Sequence, residues 1–323
     1  MRTDAIPPGP ISLPTDATFV SDADEEIFLL YTRLAALKPP DSSDTGNFHG
    51  LGTENSKEDA LLVRIELKPP PTAYDPTPKS EKLNRNTGRR NRGKKREGSR
   101  SRSDYRKELE PVVLEYRLFQ DITALRSRSG DTGSVLWKTS IEFLSLVLRQ
   151  LHFPEPTRPG LFDYAKLRHT HVLELGAGTG LLALALSPLV RKYTTTDIPA
   201  LLPLLRKNVL SAPPTTTGTT VTVAALDWTL PTLRQIDISA DPPDVLLVVD
   251  CIYHPTLVRP LLATMTALAA PQHTVALVVA ELRAEDVLRD FLEGWIELGW
   301  RVWSIAEGLL GPRWGMWVAW FEG

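Results

Sequence analysis

From Val135 onward, the chain alternates short aliphatic runs with longer stretches in which apolar residues recur at helical spacing. The runs with the length and composition of strands are 171–175, 192–196, 220–226, 244–250, 274–280, 300–305 and 314–321. The stretches with helical periodicity lie near 137–151, 180–190, 199–210, 256–269 and 284–298. Strands that alternate with helices are typical of a parallel sheet covered by helices on both faces. The pattern predicts an α/β fold with a doubly wound, Rossmann-like sheet of seven strands.

The last two predicted strands depart from this alternation. They are joined by a loop that contains Gly308, Gly311 and Pro312 and is too short for a crossover helix. Parallel neighbours need such a crossover, whereas antiparallel neighbours do not. We therefore expect an antiparallel C-terminal hairpin at the end of a sheet domain that covers residues 121–323.

The first 120 residues carry a weaker pattern. Residues 1–23 are rich in Pro, Asp and Thr, which predicts a disordered N-terminus. Residues 24–37 place apolar side chains at helical spacing after acidic ones and predict a helix, while 59–67 and 112–119 predict two strands. We expect residues 24–120 to form a small N-terminal extension whose two strands are separated by a disordered insertion near 69–108.

The insertion is also the most basic part of the chain. Residues 79–107 contain thirteen Lys and Arg against three Asp and Glu, so this segment carries +10 and the remainder −12, within a net charge of −2. Because the segment offers few apolar side chains, it cannot bury enough surface to offset the entropy lost on ordering. An acidic body favours a basic protein partner over naked nucleic acid, and contact of the insertion with rRNA is an alternative.

Cysteine content and hydropathy restrict the cellular location. Cys251 is the single cysteine, which excludes an intramolecular disulfide and a Cys-based zinc cluster and is consistent with a reducing compartment. Prolines interrupt the stretch from Met1 to Ser21, and no later apolar run reaches the length of a membrane span. We therefore expect a cytoplasmic protein, with the nucleus as an alternative, and no membrane association.

The strongest local motif is the sequence from Val172 to Gly180, in which an aliphatic strand runs into a glycine-rich turn that opens an apolar helix. Glycines at such a turn let the backbone approach a ligand closely. NAD and FAD proteins share this arrangement, and a structural turn without a ligand is a further alternative. Glu174 within the strand and the compact Gly-Ala-Gly-Thr-Gly spacing resemble the form found in methyltransferases.

Acidic residues follow the next two predicted strands. Asp197 ends the second, about twenty residues after the first glycine, where a carboxylate can accept hydrogen bonds from both ribose hydroxyls. Its alternative role is the N-cap of a helix that begins near Pro199. Asp227 and Trp228 end the third strand, where the carboxylate can bond an adenine amino group and the indole can cover the ring. Core packing explains Trp228 equally well.

Asp250 closes the fourth strand and is followed closely by Tyr253. Because open α/β sheets bind ligands at the carboxyl ends of their strands, both residues should face the reactive end of a cofactor. A buried N-capping aspartate is the alternative for Asp250. Cys251 is more typical of a small core residue than of a nucleophile, since the neighbouring carboxylate disfavours its thiolate. His169 and His171 have no third ligand nearby and do not predict a metal site.

Taken together, these motifs resemble the family-16 protein-lysine methyltransferases. The segments that carry the resemblance are Gly130 to Trp137, Leu173 to Gly178, Thr196-Asp197, Ala225 to Trp228 and Asp250 to Tyr253. The N-terminal half is similar to the fungal ribosomal branch of that family at Glu25 to Ile27, Tyr31 to Leu34, the basic insertion and Leu125 to Arg128. The resemblance runs from about residue 22 to the C-terminus and is weakest over 38–108.

The resemblance implies S-adenosyl-L-methionine as the cofactor. The cofactor-binding positions that it implies are Trp137, Gly176, Ala177, Gly178, Asp197, Trp228 and Val249. Among them, Trp137 and the glycine turn would contact the methionine part, Asp197 the ribose and Trp228 the adenine, while Val249 would contribute its backbone. Asp250 and Tyr253 occupy the family's catalytic acidic-x-x-aromatic motif beside the target amine. The following residues, His254-Pro255, depart from the polar or acidic residues of many relatives and leave the shape of the substrate entrance open.

The resemblance also implies a protein substrate, namely a lysine of a large-subunit ribosomal protein, and we expect the enzyme to be a monomer. An elongation factor or a chaperone is the alternative substrate. An RNA-binding adaptor that keeps the fold without activity is an alternative from a different class. An RNA methyltransferase is disfavoured by the acidic body and by the absence of an Asn-Pro-Pro-Tyr type motif. A dehydrogenase is disfavoured because no second catalytic domain can be placed.

Overall fold

The computed structural model describes residues 6–37, 53, 58–70, 109–121, 133–155, 159–210, 219–305 and 309–321. The strands in these ranges are β1 (Thr18–Val20), β2 (Ala60–Leu67), β3 (Val112–Phe119), β4 (His171–Leu175), β5 (Lys192–Asp197), β6 (Thr220–Ala225), β7 (Val245–Val249), β8 (Val275–Glu281), β9 (Arg301–Ser304) and β10 (Trp314–Trp320). The helices are α1 (Ala23–Ala35), α2 (Lys138–His152), α3 (Tyr164–Leu167), α4 (Leu181–Leu186), α5 (Leu202–Leu210), α6 (Pro255–Leu268) and α7 (Glu285–Glu297). Every helix and strand predicted after residue 23 is present, with bounds within four residues of the prediction. The largest difference is at the end of α4, where a 3₁₀ turn, Ser187–Leu189, replaces the last part of the predicted helix.

Some predictions fall on parts of the chain outside the described residues. These are most of the basic insertion, the segment Leu125 to Arg128, and the first three residues of the motif that runs from Gly130 to Trp137. The rest of that motif, from Gly133 onward, lies in the described part and leads into α2.

Among the described residues, eight strands form the main sheet in the order β1-β9-β10-β8-β7-β4-β5-β6. Strands β8, β7, β4, β5 and β6 run parallel to one another. The central strands β4 and β7 are buried along their whole length, as their continuous aliphatic sequences require in a sheet covered on both faces. β10 pairs antiparallel with both β8 and β9. The predicted α/β sheet with an antiparallel C-terminal hairpin is confirmed.

The eighth strand comes from a segment that was predicted to be disordered. β1 pairs antiparallel with β9, and its Phe19 ring meets the Trp303 ring edge-on, with centroids 5.4 Å apart. Upstream of β1, Ile11 is buried and forms a bridge with Phe162. The prediction of a disordered N-terminus is therefore wrong for residues 6–22. Pro and Asp dominate the composition there, whereas the stabilising contacts come from an edge strand at the far end of the chain, which a local pattern cannot reveal.

Helices cover both faces of the sheet. One face packs against α2, α4, α5 and the β2–β3 pair, and the other packs against α1, α6 and α7. α1 is attached to the hairpin by its buried Glu26, which accepts hydrogen bonds from Ser304 Oγ at 2.6 Å and Trp317 Nε1 at 3.0 Å. None of the helices in the described ranges is long and apolar enough to cross a membrane.

The two strands of the N-terminal extension pair with each other, as predicted. β2 and β3 are antiparallel, with Leu67 opposite Val112, and the buried face of β2 packs against α2. At the end of β3, the Asn208 side chain bonds both the N–H and the carbonyl of Phe119 and also the carbonyl of Thr179, each at 2.8 Å. Asn208 therefore connects the extension to the glycine-rich turn after β4.

Candidate active site

The carboxyl ends of β4, β5, β6 and β7 border an open cleft of about 220 Å³. Parallel strands bring their carboxyl ends to the same edge of the sheet, where open α/β sheets bind ligands. The predicted site residues that line the cleft are Trp137, Gly176, Ala177, Gly178, Asp197, Trp228, Val249, Asp250 and Tyr253. The fold therefore brings together every predicted site residue, although they are spread over residues 137–253.

Backbone conformation explains the glycines in the turn after β4. Gly176 and Gly178 have φ angles of +66° and +56°, in the left-handed region that other residues enter only at a cost. A Cβ atom on Gly178 would lie 2.9 Å from the carbonyl oxygen of Gly133, and one on Gly176 would lie 2.7 Å from Cys251 Sγ. The turn has no room for side chains at these positions, so its backbone borders the cleft directly.

Asp197 is buried at the end of β5 and holds the turn in place. Its Oδ2 accepts the Gly178 N–H at 2.7 Å, and its Oδ1 accepts the Ile198 N–H at 2.8 Å. The next helix, α5, begins only at Leu202, so the alternative that Asp197 caps it is wrong. A carboxylate has about four acceptor positions, which is enough to bond both the turn and the hydroxyl groups of a ligand in the cleft.

Trp228 follows β6 and packs against the turn, so close that a Cβ atom on Gly176 would come within 3.1 Å of its ring. Gln235 pins this loop by bonding the backbone N–H and carbonyl of Asp227, both at 2.8 Å. The Asp227 carboxylate accepts hydrogen bonds from the adjacent Thr229. The Trp228 Nε1 is buried and has no hydrogen-bond partner among the described residues. The Trp228 side chain also lines the cleft beside the glycine turn, so the indole fits the wall of a ligand site.

Glu174 supports the turn from within the sheet. It is buried in β4, and its Oε2 accepts hydrogen bonds from Tyr193 Oη at 3.0 Å and Thr195 Oγ1 at 3.1 Å on the neighbouring strand. Burial raises the pKa of Glu174 to about 7, although both hydrogen bonds favour the charged form. This carboxyl therefore joins β4 to β5 directly behind the glycine turn.

Asp250 follows β7 in an uncommon backbone conformation. Its φ of +60° lies in the left-handed region, which non-glycine residues adopt mainly at turns and functional sites. Oδ2 accepts a hydrogen bond from the Arg283 guanidinium at 2.7 Å, and Oδ1 accepts the Glu281 N–H at 3.3 Å. Burial raises the pKa of the Asp250 carboxyl, and the positive charge of Arg283 opposes that shift. An ion pair therefore holds this carboxylate at the edge of the cleft.

A different residue caps the helix after this motif. His254 is the N-cap of α6, and its Nδ1 accepts the Thr256 N–H at 3.3 Å. Pro255 is the first helical residue, where the missing N–H would have had no partner within the helix. The alternative that Asp250 is an N-cap is therefore wrong, and the way α6 begins explains the unusual His-Pro sequence.

Glu281 and Arg283, at the carboxyl end of β8, were not predicted as site residues. The Arg283 Nη2 atom lies 2.7 Å from Asp250 Oδ2 and 2.6 Å from Glu281 Oε2. Its Cζ atom lies 4.6 Å from the centre of the Trp137 ring, in cation–π geometry. β8 is the neighbour of β7 in the sheet, which brings these residues to Asp250 from a distant part of the sequence. The sequence feature that could have indicated them is a pair of charged residues at the end of a continuous aliphatic strand.

The remaining reactive side chains have structural surroundings. Cys251 is buried, its Sγ donates to the Leu175 carbonyl at 3.2 Å, and burial raises the pKa of its thiol, so it is a core residue as predicted. His171 is buried at the start of β4 with its ring bonded to Thr194, whereas His169 lies in the turn before that strand. Among the described residues, no group of three or more His, Cys, Asp and Glu could hold a metal ion.

The cleft fits S-adenosyl-L-methionine in its backbone-lined turn, its buried carboxylate and the indole in its wall. This strand order, with a glycine turn after β4 and an antiparallel β10 beside β8, defines the Rossmann-like methyltransferases that use this cofactor. A sequence model of the lysine methyltransferase family matches residues 119–294, more than half of the chain, and the chain belongs to that family. The family, the enzyme class and the cofactor predicted from the motifs are confirmed.

Individual proteins match different shares of the chain. It is 35% identical over 176 residues to the diaminohydroxyphosphoribosylamino-pyrimidine deaminase of Schizosaccharomyces pombe, covering 54% of this chain and 40% of that protein. It is 26% identical over 336 aligned positions to ribosomal lysine N-methyltransferase 5 of Candida glabrata, covering 84% of this chain and 89% of that protein. It is 31% identical over 152 residues to the human protein-lysine N-methyltransferase EEF2KMT, covering 44% of this chain and 42% of that protein. The chain thus spans less than half of the first and third proteins and most of the second.

Proposed function

We propose that this protein transfers a methyl group from S-adenosyl-L-methionine to a lysine of a large-subunit ribosomal protein. The observation that carries the proposal is that one cleft brings together a glycine turn and two carboxylates. The turn follows β4, Asp197 ends β5 and Asp250 follows β7, and β5 and β7 lie on either side of β4 in the sheet. When bound, the cofactor supplies the methyl group and a sulfonium leaving group. The protein has to bind the two reactants and orient them, which accounts for much of the catalysis in such displacements.

The cofactor half of the cleft is assigned as follows. Trp137 and the turn 176–178 contact the methionine part, Asp197 bonds the ribose hydroxyls, Trp228 lies against the adenine ring, and Val249 contributes its backbone. The support for the ribose assignment is that the Gly178 N–H already orients the Asp197 carboxylate. The support for the adenine assignment is that the Trp228 ring lines the cleft and packs against the glycine turn.

The amine half of the cleft is assigned to Asp250 and Tyr253. Methyl transfer needs a neutral amine whose lone pair points at the methyl carbon. The Asp250 carboxylate would hold the lysine amine by hydrogen bonding, and Tyr253 would shape the channel through which the lysine side chain enters. Neither residue has to act as a strong base, because loss of water around the lysine in a narrow channel already favours its neutral form.

Two observations support a ribosomal protein as the substrate: the name of a relative and the charge of the chain. The Candida glabrata relative, which matches over most of both chains, is named a ribosomal lysine N-methyltransferase. Outside residues 79–107 the chain carries −12, which favours contact with basic proteins such as those of the ribosome. We further propose that the protein works as a monomer in the cytoplasm, with the nucleus as an alternative, and that the basic insertion contacts rRNA during substrate binding.

The main alternative is another protein substrate, such as an elongation factor or a chaperone. The human relative, a protein-lysine N-methyltransferase, supports lysine methylation in general. An RNA-binding adaptor without activity is less well supported, because the cleft keeps both carboxylates and its glycine turn. The name of the Schizosaccharomyces pombe relative does not carry over, because nucleobase deaminases of the zinc type need a pair of cysteines and this chain contains one.

The test is methylation with tritium-labelled S-adenosyl-L-methionine and separate acceptors. The acceptors are large ribosomal subunits, small ribosomal subunits, elongation factor and naked rRNA, each from cells that lack this enzyme so that the target is unmodified. Mass spectrometry then identifies the labelled lysine. The variant Asp197→Ala serves as the control for cofactor dependence, and Asp237→Ala, at an exposed aspartate of a loop, serves as its matched control.

Label on a lysine of a large-subunit protein supports the proposal. Label on the elongation factor alone overturns the ribosomal part and supports the alternative substrate. Label on rRNA overturns the assignment to protein lysine. Cofactor binding without label on any acceptor overturns the proposed activity on these substrates.

A further inference from the structure

A charged cluster behind the cleft consists of Asp250, Glu281 and Arg283. Its carboxylate Asp250 would have two opposite effects on a lysine amine. The Asp250 side chain is 5% exposed and the Arg283 side chain 29% exposed, so solvent screens their interaction only partly. A carboxylate beside an amine favours the charged ammonium form of that amine. The group that attracts a lysine to the cleft therefore also opposes the neutral form that reacts.

The position of Arg283 bears directly on this conflict. Its guanidinium pairs with Asp250 Oδ2 at 2.7 Å and with Glu281 Oε2 at 2.6 Å, and it lies over the Trp137 ring. Bonds to two carboxylates and stacking on an indole restrict a guanidinium far more than one surface ion pair does. The positive charge is therefore fixed directly behind the carboxylate that would receive the substrate.

We propose that Arg283 is a positioning residue that keeps the incoming lysine amine neutral and holds Asp250 in place for it. This inference rests on the proposed function of the cleft as a lysine methyltransferase site. A fixed positive charge close to the amine disfavours the ammonium form by like-charge repulsion, and it offsets the opposite effect of Asp250. The cluster then binds the amine by hydrogen bonding through Asp250 without stabilising its protonated state.

Other charged groups around the amine site also affect the proton affinity of the amine. The titratable and charged groups that line the cleft, or that pair with a group lining it, are Asp197, Asp227, Asp250, Cys251, Tyr253, Glu281 and Arg283. Within that set of described residues, Arg283 is the cation. The residues that α2 and its N-cap contribute to the cleft, Trp137 and Ser140, are uncharged, and the His254 ring is bonded to Thr256 at the start of α6. The sulfonium of the bound cofactor adds a positive charge at the amine, and without Arg283 the carboxylates in this set would outnumber the positive charges.

The proton and bond changes during methyl transfer define the role of Arg283. The lysine ammonium first releases a proton to solvent water. The amine nitrogen then forms the new N–C bond with its lone pair, while the S–C bond breaks and leaves its electron pair on sulfur, giving S-adenosylhomocysteine. Arg283 takes no proton in this sequence. It lowers the proton affinity of the amine before the bond forms.

The experiment is a single-turnover pH profile of methyl transfer between about pH 6 and pH 10, with the wild type, Arg283→Gln and Arg283→Lys. Arg283→Gln removes the charge and keeps hydrogen-bond donors, so we expect the rate profile to move upward by about one pH unit. Its rate should fall about tenfold at neutral pH and approach the wild-type rate at high pH. Arg283→Lys keeps the charge and should keep the wild-type midpoint.

A second substitution changes the charge in the opposite sense. Glu281→Gln removes a carboxylate and leaves the pair between Arg283 and Asp250 intact, so its profile should move to lower pH. This variant also keeps the inference testable when Arg283→Gln does not fold. All rates are taken at saturating S-adenosyl-L-methionine, with the cofactor affinity of each folded variant measured by calorimetry, because Arg283 also lies over the Trp137 ring on the cofactor side.

Three results would overturn the inference. The first is an equal loss of rate at every pH in Arg283→Gln, which would leave Arg283 a purely structural role. The second is an unshifted profile in Glu281→Gln. The third is a lower KM for the protein substrate in Arg283→Gln with an unshifted profile, since Arg283 would then merely compete with the lysine. An active wild type with any of these results leaves the proposed function standing, whereas a wild type that methylates no lysine at any pH overturns both.

Discussion

The two halves of the cleft are built by different means. The cofactor half, at the ends of β4, β5 and β6, is held by hydrogen bonds to the backbone, such as those that the Gly178 N–H donates to Asp197 and the Asp227 N–H donates to Gln235. The amine half, at the ends of β7 and β8, is held by ion pairs between Asp250, Glu281 and Arg283. Backbone hydrogen bonds fix the shape of the cofactor half, so loss of one of its groups should weaken cofactor binding. Charges control the protonation of the amine, so loss of a group in the amine half should change the rate and its pH dependence.

The largest effect is expected in the cofactor half. Asp197→Ala removes an acceptor for ribose and the bond that orients the turn, so S-adenosyl-L-methionine affinity should fall by roughly 1.5–3 kcal/mol, the range for charge-assisted hydrogen bonds. Isothermal calorimetry measures this, with the exposed Asp237→Ala as the matched control. A folded Asp197→Ala protein with wild-type affinity would remove Asp197 from the cofactor site.

The amine half should respond in turnover and not in cofactor binding. Asp250→Asn keeps the shape and one acceptor but removes the charge next to the substrate, so methylation should slow by more than about tenfold, or at least roughly 1.4 kcal/mol of transition-state stabilisation. Single-turnover rates measured beside cofactor affinity separate the two effects. Loss of cofactor affinity to the same degree would erase the distinction between the two halves.

Glu174 behind the turn should make the stability of the cofactor half depend on pH. Its folded-state pKa of about 7 lies above the ordinary value of 4.5, so the folded protein binds the proton more tightly than the unfolded chain does. The stabilising effect of that proton is complete below about pH 4.5 and is lost as the pH rises through about 7. Relative to the wild type, Glu174→Gln should gain about 1 kcal/mol in free energy of unfolding between about pH 6.3 and about pH 8.

Urea unfolding at the two pH values measures this gain. The exposed Glu293→Gln on α7 serves as the control, because a charge in solvent should give no such difference. An equal wild-type-to-variant difference at both pH values would contradict the raised pKa of Glu174.

The smallest effect is expected from the basic insertion. Removing residues 79–104 keeps β2 and β3 joined, and Leu67 and Val112 are already partners across that strand pair. Shortening a loop to about half its length changes its closure free energy by about 0.6 kcal/mol, so the unfolding temperature should stay within about 2 °C of the wild type. Calorimetric scans and cofactor titrations check this. A deletion variant that does not fold would give the insertion a structural role in the extension.

The sequence predicted the cofactor half more completely than the amine half. The turn 172–180, Asp197 and Trp228 are short motifs directly after strands, and a parallel sheet brings strand ends together whatever the remaining details. Arg283 acts on Asp250 only because β8 lies beside β7, and its long side chain reaches back across the strand ends, so no local pattern contains the contact. β1 was missed for the same physical reason, since β9 supplies its hydrogen bonds.

The Asn208 side chain bonds both Phe119 in the extension and Thr179 in the turn. Coupling between two bound partners is reciprocal, because free energy does not depend on the order of assembly. The free energy by which the extension stabilises the turn is therefore also the free energy by which a ligand bound at the turn stabilises the extension. Amide protons of β3 should therefore exchange with deuterium more slowly when the cofactor analogue S-adenosylhomocysteine is present, although β3 does not line the cleft. The extension then serves as a distant reporter of cofactor occupancy.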